Sequence, residues 1–584
     1  MKFLRNFFAA LLALIVFSGI GMLFFFGLVA VLGASEEVTV SENSILHLKL
    51  NRPIVEVEGE EDPLAELPIF SGDNNKIGVV QLKEAISNAA TDDYITGIYL
   101  DVPYLMIGFA NLEEVRDALL DFKQSGKFII AYADFFTEGG YYLASAADKV
   151  YLNPEGDVEF NGLSANLSFF KGTFEKLGIE PQIFRVGDFK SAVEPFLRDD
   201  MSDANRLQML SILGSLNDNM LMNVAESRMI DIEVLKEISA QMKVRDGADA
   251  LEMGLIDGLL YYDQLQEELM KQVEVERAKD LEYISYDEYK GAGSIYSKSK
   301  NEVAIIVAEG EIVRGEGEQG ESIGGKKFSN EIRKARLDDD VKAIVLRINS
   351  PGGDFVASDM MWREISLAAE VKPVIASMSD YAASGGYYMA MACDTIVAQP
   401  TTITGSIGIF GMMFNAEDFF KDKLGMTHDV VKTGEYSDMM TVTRPLSEAE
   451  KVIIQNGVED GYHTFTTKAA QDRNMEVNEL LKIASGRVWT GEQGLENGLV
   501  DVLGGLDVAV AIAAEKAGIV EDYRMRYYPK YKPLMERLFE SGDEVKSQVV
   551  KQELGEMYFY LKEIKKLKNY QGIQARMPYD ISIL

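Results

Sequence analysis

The sequence predicts an α/β protein made of two tandem copies of one domain, preceded by a single N-terminal transmembrane helix. Three observations predict it. The 584-residue chain repeats itself at a fixed offset of 246: "AISNAATDDYITGIYLDV" from Ala85 returns as "EIRKARLDDDVKAIVLRI" from Glu331, which sets Asp92 on Asp338, and the pair Gly139-Gly140 on Gly385-Gly386. A repeat this long marks two structural units, and the chain is in any case too long for one core. Within each copy, short apolar runs such as "AIVLRI" and "PVIAS" alternate with helical stretches such as "ASDMMWREISLAAE", the pattern of mostly parallel strands covered by helices. Finally, the N-terminus carries an uncharged run from Asn6 to Ser35.

The elements follow in order. A secretory signal has an apolar region of about 7–15 residues; the N-terminal run is about twice that and can cross a hydrocarbon core of roughly 30 Å. Lys2 and Arg5 precede it, and Glu36 and Glu37 follow, so the positive-inside bias leaves the N-terminus in the cytoplasm and the remaining chain outside. Residues 1–37 are read as an uncleaved anchor, although "LGAS" also fits a cleavage site. The first copy spans residues 44–280. The polar stretch "YKGAGSIYSKSKNE" (289–302) is the junction, and the second copy spans 300–520. The repeat continues downstream: "FEKLGIEPQIFRVGDFKS" from Phe174 parallels "FKDKLGMTHDVVKTGEYSD" from Phe420, and "ALEMGLIDGL" parallels "GLENGLVDVLGGL". A tail, 530–584, begins as a helix of mixed charge. Its last residues, "QGIQARMPYDISIL", alternate; they fit a strand paired with a neighbour or laid in a substrate groove, and equally a loose terminus.

Composition narrows the function. Net charge is −35, from 58 basic and 93 acidic residues. Such a field repels phosphate backbones and argues against nucleic acid as a partner. Cys393 is the one cysteine, so no intrachain disulfide or Cys-rich metal site can form. Only His47, His428 and His463 are present, few for a His-based triad or a zinc site. No cofactor is expected.

Chemistry centres on "DYAASGGYYMA" (380–390). Ser384 stands where a buried strand turns into a helix, beside unpaired first-turn N–H groups. A nucleophile whose attack creates an oxyanion suits that place, with Gly385 N–H as a donor; so does a plain capping serine. A second loop, "LRINSPGGDFVAS", offers Gly352 and Gly353 as the other half of an oxyanion hole, or a simple Pro-Gly turn. The first copy has Glu138 in place of Ser384 and "LDVPYLMIGFANL" in place of the Ser-Pro-Gly-Gly loop, so it is not an independent catalytic centre. A serine nucleophile needs a base. His428, matching Gln182, has no evident acidic partner and is read as structural. Lys190, in "VGDFKSAVEPF", has Ser437 as its counterpart. One copy keeps the lysine and the other keeps the serine, which points to one composite Ser–Lys site between them. Burial would have to lower the lysine pKa from about 10.4 towards 7–8.

"YAASGGYY", "NSPGG", "TGSIGI" and "GDFKSAVEPF" resemble, in order and spacing, the long two-domain form of bacterial signal peptide peptidase A, or protease IV. The resemblance runs from the anchor to about residue 520. It implies a fold related to Clp protease and crotonase, and a homotetramer on the periplasmic side of the bacterial inner membrane. It also implies a Ser/Lys serine endopeptidase that cuts released signal peptides and similar apolar peptides. In this sequence it makes Ser384 the nucleophile, Lys190 the general base and Ser406 a hydrogen-bond partner of the lysine amine, though Ser406 also reads as a turn serine. Gly385 and a glycine of the Gly352-Gly353 pair would supply the oxyanion N–H groups. Two rival classes remain open: a crotonase-like acyl-thioester enzyme, and a catalytically inactive membrane scaffold.

Overall fold

The computed structural model describes residues 2–32, 39–58, 76–103, 105–292, 299–317, 320–529 and 572–577. Helix α1 is Lys2–Leu32. The first half then runs β1 (Ser44–Lys49), α2 (Val79–Thr91), β2 (Ile95–Asp101), α3 (Phe109–Lys123), β3 (Phe128–Phe136), α4 (Glu138–Ala144), β4 (Lys149–Val158), β5 (Glu180–Arg185), α5 (Asp203–Arg228), β6 (Gly258–Leu259) and β7 (Tyr283–Ser285). The second half begins β8 (Glu302–Glu309), β9 (Glu311–Val313), β10 (Ser322–Gly324), α6 (Gly325–Leu337), β11 (Val341–Ser350), β12 (Gly352–Asp354), α7 (Phe355–Ala369), β13 (Val374–Ala383), α8 (Gly385–Ala390) and β14 (Thr395–Ala398). It continues β15 (Ile403–Gly405), β16 (Phe410–Asn415), β17 (Val488–Thr490), β18 (Val502–Leu503) and β19 (Arg524–Tyr528), and β20 is Gly572–Arg576.

The sequence repeat is a repeat of elements. α2, β2, α3, β3 and β4 recur as α6, β11, α7, β13 and β14, each starting at the same offset. Individual hydrogen bonds recur with them. The Tyr141 hydroxyl donates to Leu255 O at 2.7 Å, and that of Tyr387 to Leu499 O at 3.1 Å. Val150 N–H donates to Asp257 at 2.9 Å, and Ile396 N–H to Asp501 at 2.8 Å.

Each half forms a twisted sheet. The first has strand order β6-β4-β3-β2-β1-β7, all parallel. The second has order β17-β15-β13-β11-β8-β19, with β14 and β18 beside β13. Ile344, Val345, Leu346 and Ile348 on β11 are fully buried, because helices cover both faces of a parallel sheet and strands there read as continuous apolar runs.

A third sheet, β10-β9-β12-β20-β16-β5, joins the halves. β5 comes from the first half and pairs antiparallel with β16 of the second, from Glu180 opposite Asn415 to Arg185 opposite Phe410. Phe174, Val193 and Phe196 pack there with Phe410 and Met412. The stretch around β5 therefore belongs to the first copy by sequence and to the second half by packing.

A buried polar network ties the halves together elsewhere. The fully buried Arg347 guanidinium on β11 donates to Glu56 (2.6 Å), Glu114 (2.6 Å) and Asn111 (2.8 Å) of the first half. Asn111 in turn donates through its backbone N–H and its side chain to Asp380 on β13, at 3.0 and 2.9 Å.

The anchor falls largely on residues whose side chains lie outside the described ones. Among the described residues no helix is long and apolar enough to cross a membrane. The expected helix of the tail also lies outside the described residues, whereas 572–577 supply β20 and Met577.

Candidate active site

Ser384 sits between β13 and α8 with φ 54° and ψ −108°, a backbone conformation that costs an L-residue energy and persists only where its surroundings hold it. They do: its N–H donates to Gly405 O at 2.8 Å, and its carbonyl accepts from Tyr388 N–H at 2.8 Å. Its hydroxyl makes no cap hydrogen bond to α8, so the capping-serine reading fails. The hydroxyl instead lies 2.9 Å from Lys190 Nζ.

Lys190 reaches that point because β5 is built into the third sheet and delivers the loop 186–190 onto the second half. The residue is fully buried. Burial holds its amine well below the ordinary lysine pKa, with no carboxylate acting on it. Besides Ser384, the amine faces Ser406 Oγ at 3.0 Å and Ser406 O at 3.1 Å. A neutral amine has two N–H bonds and one lone pair. Two donations to Ser406 leave the lone pair for the Ser384 hydroxyl, so these neighbours suit the uncharged form.

A segment that sequence reasoning missed, Ser485–Trp489, holds this arrangement. Phe189 N–H donates to Ser485 O at 3.1 Å, Gly486 N–H to Ile407 O at 2.9 Å, and Ser406 N–H to Arg487 O at 2.7 Å. It thus bonds both the lysine loop and the Ser406 loop. Gly486, at φ 78°, passes so close that a Cβ there would stand 2.7 Å from Lys190 Cβ. The Arg487 guanidinium lies 4.0 Å from the Trp489 ring centre and 5.1 Å from that of Phe189, bridging the halves. Gln208, on α5, donates to Ser191 Oγ at 2.6 Å and accepts from Val488 N–H at 3.3 Å. The available signal was the apolar-basic "GRVWT" string, which has no meaning until the lysine loop is seen against it.

The glycines divide. Gly352 N–H donates to Ser350 Oγ at 3.2 Å. Gly353 lies opposite Ala575 in the third sheet. Gly352 and Gly385 face one another, since a Cβ on Gly352 would come 2.6 Å from Gly385 N. Asp380, four residues before Ser384, was also missed. Burial first, then the Glu56 carboxylate, pushes its pKa up to about 6, and it ties the serine strand to the first half through Asn111.

Two residues stand away from this cluster. His428 is on an exposed stretch, its ring 5.1 Å from that of Phe420. Ser437, the counterpart of Lys190, is exposed and donates to Gly434 O at 2.9 Å. Among the described residues no group of His, Cys, Asp and Glu could hold a metal ion.

Comparison with known proteins places this site in a family. The model of peptidase family S49 matches residues 121–276 and again 366–520, one match in each half. The chain is 38% identical over 453 residues to the chloroplastic serine protease SPPA of Arabidopsis thaliana, covering 76% of this chain and 67% of that one. It is 37% identical over 469 residues to protease 4 of Salmonella typhi, covering 78% and 75%. It is 34% identical over 519 residues to protease 4 of Haemophilus influenzae, covering 85% and 83%. These matches set aside the acyl-thioester and inactive-scaffold readings: the chain belongs to peptidase family S49, the serine peptidases that include protease 4.

Proposed function

We propose that this peptidase is a membrane-anchored endopeptidase that degrades cleaved signal peptides and similar apolar peptides, with Ser384 as nucleophile and Lys190 as general base. The observation that carries the proposal is the 2.9 Å approach of Lys190 Nζ to Ser384 Oγ inside a fully buried pocket. Neutral Lys190 takes the hydroxyl proton as Ser384 attacks the peptide carbonyl. Gly385 N–H and Gly353 N–H receive the oxyanion; Gly352 is spared that role because its N–H is already given to Ser350. Ser406 holds the amine on line. The lysine then passes the proton to the leaving amine, and water hydrolyses the acyl-enzyme.

Peptides would enter as an added strand between β12 and β16. The names of the relatives, among them a signal peptide peptidase of Enterococcus faecium, support the substrate class. α1, with Lys2 and Arg5 ahead of its apolar run, supports a single-pass anchor with the N-terminus in the cytoplasm. The catalytic halves, residues 44–280 and 300–520, would then lie outside, with the Clp-like and crotonase-like kinship that the motifs imply.

The β5–β16 joint supports a homotetramer. The second copy's counterpart of β5, around residues 424–440, exposes Leu424, Met426, Val430 and Val431, and it could form the same joint with the first copy of the next subunit. Repeated, that head-to-tail contact closes a ring.

The test is covalent labelling by a serine-directed phosphonate, with the modified residue mapped. Label on Ser384, lost in Ser384→Ala and strongly slowed in Lys190→Ala, is expected. Full peptidase activity in purified Lys190→Ala would reject the dyad.

A further inference from the structure

We propose that β20 is a resident pseudo-substrate: the chain's own C-terminal strand fills the peptide groove with Ala575 in the acyl position, and Ala575–Arg576 is the bond the enzyme cuts in itself. This rests on the Ser384–Lys190 reading above. It adds what that reading does not contain, namely an occupant and a register.

Four observations carry it. First, β20 runs antiparallel to β12 on one side and to β16 on the other, the place a bound peptide would take beside Ser384. Second, the register is set at its end: Met577 N–H donates to Pro351 O at 2.6 Å, and Gly353 faces Ala575 two positions along. Hydrogen-bonded pairs alternate in an antiparallel ladder, so Gly353 N–H is turned towards Ala575 O. Third, that oxygen lies 2.2 Å from where a Cβ on Gly352 would stand, and Gly385 N lies 2.6 Å from the same point. The Ala575 carbonyl is therefore presented between the two amides assigned to the oxyanion. Fourth, the flanking side chains are seated. Ala575 is fully buried. Met577 is buried among Ile212 and Leu216 of the first half and Ala383, Ile403 and Val488 of the second. Arg576 pairs with Glu311.

The reaction balances as an ordinary hydrolysis. Ser384 Oγ bonds to the Ala575 carbonyl carbon, and the bond to Arg576 N breaks. The serine proton reaches that nitrogen through Lys190. One water then cleaves the ester, leaving a chain that ends in the Ala575 carboxylate and a free peptide, 576–584. Until the cut, the strand competes with every incoming peptide.

Occupancy is tested without turnover. In full-length Ser384→Ala protein, the anisotropy of a fluorescein-labelled peptide of sequence Gln571 to Met577 reports binding. Ending the chain at residue 571 should tighten that binding at least tenfold. Met577→Asp, which sets a carboxylate in the apolar pocket and keeps the chain whole, should do the same. Equal binding in all three proteins overturns the proposal. In the active enzyme, intact mass should show loss of residues 576–584, in a rate independent of protein concentration. A cut at another bond, or an uncut tail in enzyme that digests added apolar peptide, overturns the register. Tighter binding on truncation, in a protein that digests neither itself nor added peptide, upholds the occupant and rejects the dyad instead.

Discussion

The same helix start occurs twice in this molecule and is finished in opposite ways. At α4, the Thr137 hydroxyl accepts Gly140 N–H at 3.1 Å, and the next residue, Glu138, accepts Gly162 N–H at 3.1 Å. Both polar side chains serve the local backbone. At α8 the threonine has become Ala383, so the cap is gone, and Ser384 stands at positive φ with its hydroxyl turned to a lysine from the other half. The first start satisfies its own turn. The second leaves first-turn amides unfilled and holds a strained residue, features that cost stability and suit a reacting carbonyl. Duplication allows this division. The first copy carries the scaffold and sends β5 across to deliver Lys190, while the second keeps the nucleophile.

Exchanging the two residues gives the largest expected effect. Ser384→Glu, which puts the first copy's residue in the second, should lower kcat/KM on a fluorogenic apolar peptide by about 10⁴-fold or more, the scale of losing a nucleophile. The reverse change, Glu138→Ser in a Ser384→Ala background, should restore nothing. There Ser437 stands in place of Lys190, and "VPYLMIG" in place of the glycine loop. Any recovered turnover would break the comparison, because it would show that the first copy still holds a complete site.

The next effect is geometric. Gly486→Ala places a methyl against Lys190 Cβ at a position whose φ of 78° already disfavours alanine. Displacing the amine by about 1 Å should cost roughly 10²-fold in kcat, with KM little changed. Normal kcat in a folded variant would mean that the Ser485–Trp489 segment does not position the base. Ser406→Ala should cost less, about tenfold, since Ser406 O still holds the amine. In both proteins kcat/KM should climb with pH as the buried lysine loses its proton. Because burial holds that pKa well below the usual value, the climb should finish before the ordinary lysine range. A limb that disappears in His428→Ala would contradict the position of that exposed ring.

How far the sequence reveals this follows from what repeats. The strands and helices of both halves were legible because each carries its own period and the offset confirms it. The Ser384–Lys190 pairing was legible because the two copies have lost complementary parts. The joint was not. β5 reads as a short strand of no special destination, and only pairing with β16 shows where Lys190 goes. Arg347 was not legible either: in "AIVLRINS" it resembles the polar end of a strand, yet it is fully buried and bonded to residues more than two hundred positions away. Long-range polar partners leave no local period to read.

The smallest expected effect on activity is at Glu138, and it sharpens the comparison most directly. Burial, opposed by Gly162 N–H and aided by the Glu159 carboxylate, pushes its pKa up to about 7 from an ordinary 4.5. Between those values the folded protein keeps a proton that the unfolded chain has released. Folding stability due to this group is therefore highest at low pH and falls as pH rises from 4.5 through 7. Glu138→Gln keeps an acceptor for Gly162 and removes the ionisation. The variant and the parent should unfold alike near pH 4.5. Above pH 7 the variant should be the more stable, by roughly 1 kcal/mol once partial solvation of the carboxylate is allowed for. Peptidase activity should stay within about twofold. Denaturant unfolding at both pH values, compared between the two proteins, isolates Glu138 from Asp380 and Glu113, which burial also raises. A stability gap that does not change with pH would mean that Glu138 ionises freely and is no latch for its loop. A large loss of activity with stability unchanged would draw the first helix start back into the chemistry.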